Sequence, residues 1–149
     1  LPEPLFTPST KADEGHDLNV SYDYVKEQIG EDMALLLKEK SLALYKKAAD
    51  YALSKGIILA DTKFEFGILD GKLVIADEMC TPDSSRFWDL SDYAPGRAQK
   101  SFDKQYLREY LETLDWDKQP PAPKLPAGVI QKTEAKYIEA YEKITGKKF

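Results

Sequence analysis

The stretch Leu59-Ala60-Asp61-Thr62-Lys63-Phe64-Glu65-Phe66-Gly67 is followed ten residues later by Asp77-Glu78. In an extended chain successive side chains point to opposite faces, so Asp61, Lys63 and Glu65 share one face of a strand. Leu59 and the apolar run before it anchor that strand in a core. Three charged groups in a row on one strand face are costly unless something neutralises them. A metal ion, a phosphate or a polar substrate does so, and the chemistry of the chain is expected here.

Asp70-Gly71 is a turn signal, and Lys72 to Ala76 reads as a returning strand, giving a β-hairpin over residues 57–78. A two-residue loop at Asp70-Gly71 pairs Gly67 with Val74 and sends Asp77 to the face opposite Glu65. A three-residue loop, Leu69-Asp70-Gly71, pairs Glu65 with Ile75 and Lys63 with Asp77. Asp77 then lies diagonally from Glu65, with Cβ atoms roughly 7–8 Å apart. Two carboxylates so placed bracket a hard cation, and magnesium is the natural candidate because it binds one or two carboxylates and substrate phosphates. The sequence is read with the three-residue loop and a shared face for Asp61, Lys63, Glu65 and Asp77. A solvated strand face, with Lys63 pairing its acidic neighbours, is the alternative.

Thr81-Pro82-Asp83-Ser84-Ser85-Arg86 follows directly, a turn carrying three hydroxyls and an arginine. Hydroxyls, backbone N–H groups and an Arg fork are the usual equipment for holding phosphate. A plain Pro-Asp-Ser turn capping a short helix is the other meaning of such a string.

Asp61-x-Lys63-x-Glu65-Phe66-Gly67, Asp77-Glu78 and Thr81-Pro82-Asp83-Ser84-Ser85-Arg86-Phe87-Trp88 together closely resemble the SAICAR synthetase family (phosphoribosylaminoimidazole-succinocarboxamide synthases) of purine biosynthesis. Upstream, Thr7-Pro8-Ser9-Thr10-Lys11 and Gly15-His16-Asp17 look like that family's substrate loop. Downstream, Tyr93-x-Pro95-Gly96-Arg97 and Ser101-Phe102-Asp103-Lys104-Gln105 look like its longer forms. The family's N-terminal, nucleotide-binding β-rich lobe has no counterpart in this sequence. The chain begins at Leu1-Pro2-Glu3-Pro4, which reads as a start inside a longer protein, namely a C-terminal portion.

The resemblance implies an ATP- and Mg2+-dependent ligation. The carboxylate of carboxyaminoimidazole ribonucleotide (CAIR) is activated as an acyl phosphate, and the amine of L-aspartate attacks it to give SAICAR, ADP and phosphate. It further implies that Lys63 contacts the reacting carboxylate or phosphate, with Asp61 orienting it, and that Glu65 and Asp77 hold magnesium. Ser85 and Arg86 would hold the ribotide 5′-phosphate, Lys11 the substrate or nucleotide phosphates, and Asp17 would help bind aspartate or CAIR. His16, the single histidine, reads as a positioning neighbour of Asp17, and Cys80 as a small half-buried residue with no disulfide partner.

A net charge of −5 argues against general nucleic-acid binding, which needs a basic surface. The composition, 42% hydrophobic and 32% charged, reads as one soluble core. No apolar run is long enough to span a bilayer, and with one cysteine the cytoplasm is the default setting. The fold class is α+β: a SAICAR synthetase-like, ATP-grasp-related C-terminal portion with a β-hairpin and packed helices. Residues 1–20 form the substrate loop, 21–114 the helices and metal-site hairpin, 119–127 a Pro-rich connector and 128–149 a C-terminal helix.

Within that division, Ser21 caps a short helix ending near Gly30. A helix over Glu31 to Lys55 carries Met33, Leu36, Leu37, Leu44, Ala48 and Ala52 at core spacing. Another helix runs from Asp103 to Leu114 with Tyr106, Leu107, Tyr110 and Leu111 inward. A last one runs from Val129 to Thr145, with Ile130, Tyr137, Ile138 and Tyr141 on one side and Gly146 at its stop. Partners would be CAIR, L-aspartate and the N-terminal lobe. Apolar surface left exposed without that lobe would favour association, including homo-oligomers. Two other functions compete: an inositol-phosphate-kinase-like phosphotransferase, disfavoured by the acidity, and a non-catalytic structural module.

Overall fold

The computed structural model describes residues 2–12 and 15–149; Leu1, Asp13 and Glu14 of the leading loop lie outside the described residues. The chain divides into two compact units, residues 1–47 and 48–149.

In the first unit the leading loop folds back on itself. Ser9 and Asn19 form an antiparallel bridge, flanked by Thr10 N–H donating to Leu18 C=O and Val20 N–H to Pro8 C=O. Helix α1 (Tyr22–Ile29) starts as expected, with the Ser21 hydroxyl accepting from the Tyr24 N–H, and ends at Gly30. Helix α2 (Glu31–Ser54) follows at once, and its last residues, from Ala48 on, are counted with the second unit. Its deepest positions are Ala34 and Ala52, whereas Met33, Leu36, Leu37, Leu44 and Ala48 are half-buried.

The second unit holds four strands, β1 (Ile57–Thr62), β2 (Glu65–Leu69), β3 (Lys72–Ala76) and β4 (Ser85–Asp89), then α3 (Gln105–Glu112) and α4 (Ala127–Thr145). The fold class is α+β as the sequence implies, but the single hairpin over 57–78 is corrected. The chain makes two separate two-stranded antiparallel ladders, β1–β4 and β2–β3. β1 ends at Thr62, so Asp61 and Glu65 belong to different strands.

A bulge explains the break. Leu59 faces Phe87 and Asp61 faces Arg86, so Ala60 is the extra residue on β1. Strict alternation would have put Asp61 on the same inward face as Ile57 and Leu59, burying a carboxylate in the apolar core. The bulge turns Asp61 outward instead, opposite the exposed Arg86.

The register of β2–β3 is also corrected. Glu65 pairs with Ala76, Gly67 with Val74 and Leu69 with Lys72, which leaves the two-residue loop Asp70-Gly71. Both loop residues have positive φ, 51° and 73°, the twist that matches two strands joined by the shortest turn. Asp77 does not continue the strand: its own φ is 62°, so the expected shared face with Glu65 is absent.

Ile57 and Leu59 from β1, Phe87 from β4, Phe102, and Val129 and Ala140 from α4 form the core of this unit. Each large side chain buried there contributes about 1.5–3 kcal/mol. Residues 100–102 run along the free side of β4, with Phe102 N–H donating to Phe87 C=O and Asp89 N–H to Lys100 C=O. Helix α3 packs on α4, with Tyr106, Leu107, Tyr110 and Leu111 half-buried. On α4 the expected stripe is partly corrected, because Ile130 and Tyr141 are exposed while Val129 and Ala140 are buried. Gly146 closes α4 in the left-handed conformation. The β2–β3 hairpin leaves Ile68, Leu69 and Ile75 exposed. No helix among the described residues is long and apolar enough to cross a membrane.

Candidate functional site

The outward face of the β1–β4 ladder brings together Asp61 and Arg86. Arg86 Nε donates to Asp61 Oδ1 at 2.8 Å, and Nη2 donates to Oδ2, a bidentate ion pair. The guanidinium hydrogen bond holds the Asp61 carboxyl below its usual range, and the same bond raises Arg86.

The turn before β4 is built from its own hydroxyls. Thr81 Oγ1 accepts from the N–H groups of Asp83 and Ser84, and Ser84 Oγ accepts from Thr81 N–H. Ser85, on the inward face, is buried and donates to Thr62 Oγ1 at 2.8 Å. Thr62 in turn lies 4.0 Å from Cys80 Sγ, whose thiol is half-buried and pushed up by that burial.

A cavity of about 120 Å3 opens beside this turn, lined by Asp61, Ser85 and Arg86 from the strands, Asp83 and Ser84 from the turn, and Asp103, Lys104 and Arg108 at the start of α3. Asp103 is the joint between the two elements. It is 1% exposed, and its Oδ2 accepts from Phe87 N–H while its Oδ1 accepts from Gln105 N–H. That clamp places Lys104 and, one helical turn on, Arg108 on the cavity wall. Lys104 Nζ donates to Asp83 Oδ1 at 2.6 Å, which lowers the Asp83 carboxyl. Tyr137 of α4 has its phenol pushed up, first by burial and then by the charges of Asp83, Asp103 and Glu78.

A second hollow of about 370 Å3 lies on the other side of Arg86. Trp88 and Tyr93 stack on its wall with centroids 6.0 Å apart. Its polar groups serve the loop itself, since Arg97 binds Asp92 and Gln99 pairs with both backbone groups of Ala94.

The residues singled out from the sequence therefore fall into four places. Asp61, Ser85 and Arg86 meet at the small cavity. Lys63 and Glu65 form an ion pair at 3.2 Å in the link to β2 and at its start. Lys11 and Asp17 belong to the first unit, where Asp17 Oδ1 accepts from Ala12 N–H and the neighbouring His16 is exposed. Asp77 is exposed just past β3. For a magnesium ion the donor type of Glu65 and Asp77 fits, being hard carboxylate oxygen. Asp77 follows Ala76, the partner of Glu65, but lies outside the ladder, and among the described residues no group of three or more His, Cys, Asp or Glu side chains is gathered to hold a metal.

Sequence reasoning missed Asp83, Lys104 and Arg108. The spacing of Lys104 and Arg108, four apart on one helix face, was visible, but the tie to β4 through buried Asp103 was not.

The fold and cavity define an α+β protein with a small cleft walled by paired cations and carboxylates. A family profile for SAICAR synthetase matches residues 1–123, and the chain belongs to that family. A phosphoribosylaminoimidazole-succinocarboxamide synthase of Desulfotalea psychrophila is 59% identical over 148 residues, 99% of this chain and 50% of the relative. The SAICAR synthase of Saccharomyces cerevisiae, solved in complex with SAICAR, superposes with a TM-score of 0.86 at 47% identity, over 99% of this chain and 48% of that one. A type-2 SAICAR synthetase solved with ADP gives 0.74 at 34% identity, over 100% of this chain and 54% of that one. The chain spans about half the length of the curated relatives it matches.

Proposed function

We propose that this chain is the C-terminal half of an ATP-dependent carbon–nitrogen ligase, which joins L-aspartate to CAIR and releases SAICAR, ADP and phosphate. The observation that carries the reading is the small cavity. In a chain of this family it places Ser84, Arg86, Lys104 and Arg108, beside Asp61, Asp83 and Asp103, around a space of about 120 Å3. The yeast relative bound to SAICAR and the type-2 relative bound to ADP support the choice of ligands.

Arg86 grips the ribotide 5′-phosphate through its fork, with the Ser84 and Ser85 hydroxyls donating to it and Lys104 and Arg108 supplying charge. Lys63 meets the carboxylate that becomes the acyl phosphate, and its pairing with Glu65 keeps the ammonium near the site until substrate arrives. Asp61, two residues before Lys63, acts in the same site. Lys11 reaches substrate or nucleotide phosphate, and Asp17 helps receive aspartate or CAIR. Glu65 and Asp77 are the proposed magnesium ligands on the strength of the family resemblance, since the strand register gives them no shared face. Magnesium, when bound, neutralises the nucleotide's phosphate charge. The N-terminal lobe completes the nucleotide pocket, and the setting is cytoplasmic.

The test is a ligase assay with ATP, magnesium, CAIR and aspartate. The chain alone is expected to be inactive, and addition of the N-terminal half of the enzyme is expected to restore SAICAR formation. Absence of activity in the complete two-part protein would overturn the reading.

A further inference from the structure

Arg86 carries five N–H donors in a flat fork. Asp61 occupies the edge formed by Nε and one Nη2 hydrogen, which leaves the Nη1 side of the fork for another acceptor. The two residues are direct cross-strand partners, and the bulge at Ala60 is what turns the carboxylate to face the guanidinium. Both also line the cavity shared with Ser84 and Lys104.

We propose that Asp61 is a positioning residue: it holds Arg86 by the Nε edge so that the Nη edge is presented, already oriented, to a phosphate in the cavity. The proposal rests on the reading that Arg86 meets the ribotide phosphate, and it gives Asp61 a role through Arg86 rather than through Lys63.

Two opposed effects set the sign of its removal. A carboxylate near a bound phosphate repels it, and at this half-exposed site the repulsion amounts to about threefold in affinity. Freezing the rotamers of an arginine beforehand is worth up to about thirtyfold in affinity. The second effect wins, so Asp61→Asn weakens phosphate binding by roughly tenfold. An aspartate that merely neutralised or masked Arg86 would do the reverse.

The experiment titrates ribose 5-phosphate into the 149-residue chain while following the Arg86 Nε–H resonance by 15N NMR. Binding constants are taken for the unaltered chain, Asp61→Asn and Arg86→Lys. The expected result is an Nε–H that stays protected from exchange in the bound state, together with a roughly tenfold loss in Asp61→Asn and near-complete loss in Arg86→Lys. Release of the Nε–H on binding, or equal or tighter binding by Asp61→Asn, would overturn the positioning role. If Arg86→Lys then still lost binding, the phosphate reading of Arg86 would stand. Equal binding by Arg86→Lys, or none by the unaltered chain, would remove that reading and this proposal with it. The resonance in the unaltered chain decides the matter even if a variant folds poorly.

Discussion

Replacing Asp89 with asparagine removes one charge from the inward face of β4 and leaves the shape of the side chain intact. Asp89 is 5% exposed; its Oδ1 accepts from the N–H and hydroxyl of Ser91 and its Oδ2 accepts from Lys100 Nζ at 2.9 Å. The Lys100 bond, then the Ser91 hydroxyl, bring its carboxyl from 3.8 down to about 2. At 1.36 kcal/mol per unit this amounts to about 2 kcal/mol as an upper figure. The Lys100 side chain is 50% exposed, so solvent screening reduces the contribution to about 1–2 kcal/mol. Because the folded carboxyl binds its proton less readily than the unfolded one, the contribution is fully present above about pH 4. It drains away as pH falls toward about 2. Urea denaturation from pH 7 to pH 2 measures it. The asparagine variant is expected to be less stable by about 1–2 kcal/mol at pH 7 and to converge on the unaltered chain near pH 2. Parallel stability curves for the two chains across that acid range would refute the account of Asp89 and Lys100.

Lys104→Met removes the main cause that lowers the Asp83 carboxyl, so its NMR titration midpoint is expected to move up toward the ordinary aspartate value. Gly71→Val forces a β-branched residue into φ of 73°, and denaturation is expected to show a loss of about 1–3 kcal/mol with disruption of the Gly67–Val74 cross-strand contact. Phe87→Ala empties a site 2% exposed at the centre of the second unit, at an expected cost of about 3–5 kcal/mol in the same assay. Ile68→Lys with Leu69→Lys covers the exposed hairpin tip with charge, and light scattering over a concentration series is expected to show less association.

Helices α1, α2 and α4 were legible because each carries its own punctuation. Ser21 and Gly30 bound α1, and Gly56 and Gly146 follow α2 and α4, all local signals. The sheet was less so. A strand carrying Leu59 and Asp61 two residues apart demands that a core residue and a carboxylate share a face. That conflict is the sequence trace of the bulge at Ala60, and alternation alone cannot show which residue yields. The pairing of β1 with β4 was hidden for a different reason. Ser85 to Asp89 is short, begins inside a turn, and finds its partner 23 residues upstream at Thr62. Asp61, Ser85 and Arg86, all singled out from the sequence, line one cavity, although the sequence was read with Asp61 orienting Lys63 rather than facing Arg86. Lys104 and Arg108 reach it only because buried Asp103 ties α3 to β4, a tertiary contact with no local pattern.

The stacked rings of Trp88 and Tyr93, 16° from parallel, make a natural optical gauge. Trp88 stands two residues from Arg86 on β4, and both side chains border the same hollow. Fixed aromatic pairs of this kind give near-ultraviolet circular dichroism that vanishes when tertiary packing loosens. Trp116, whose indole N–H donates to Gln119 C=O in the Pro-rich connector, reports on a different region of the chain. A Trp116→Phe background would therefore leave Trp88 as the one tryptophan, beside Arg86, able to register ligand arrival there without any added label.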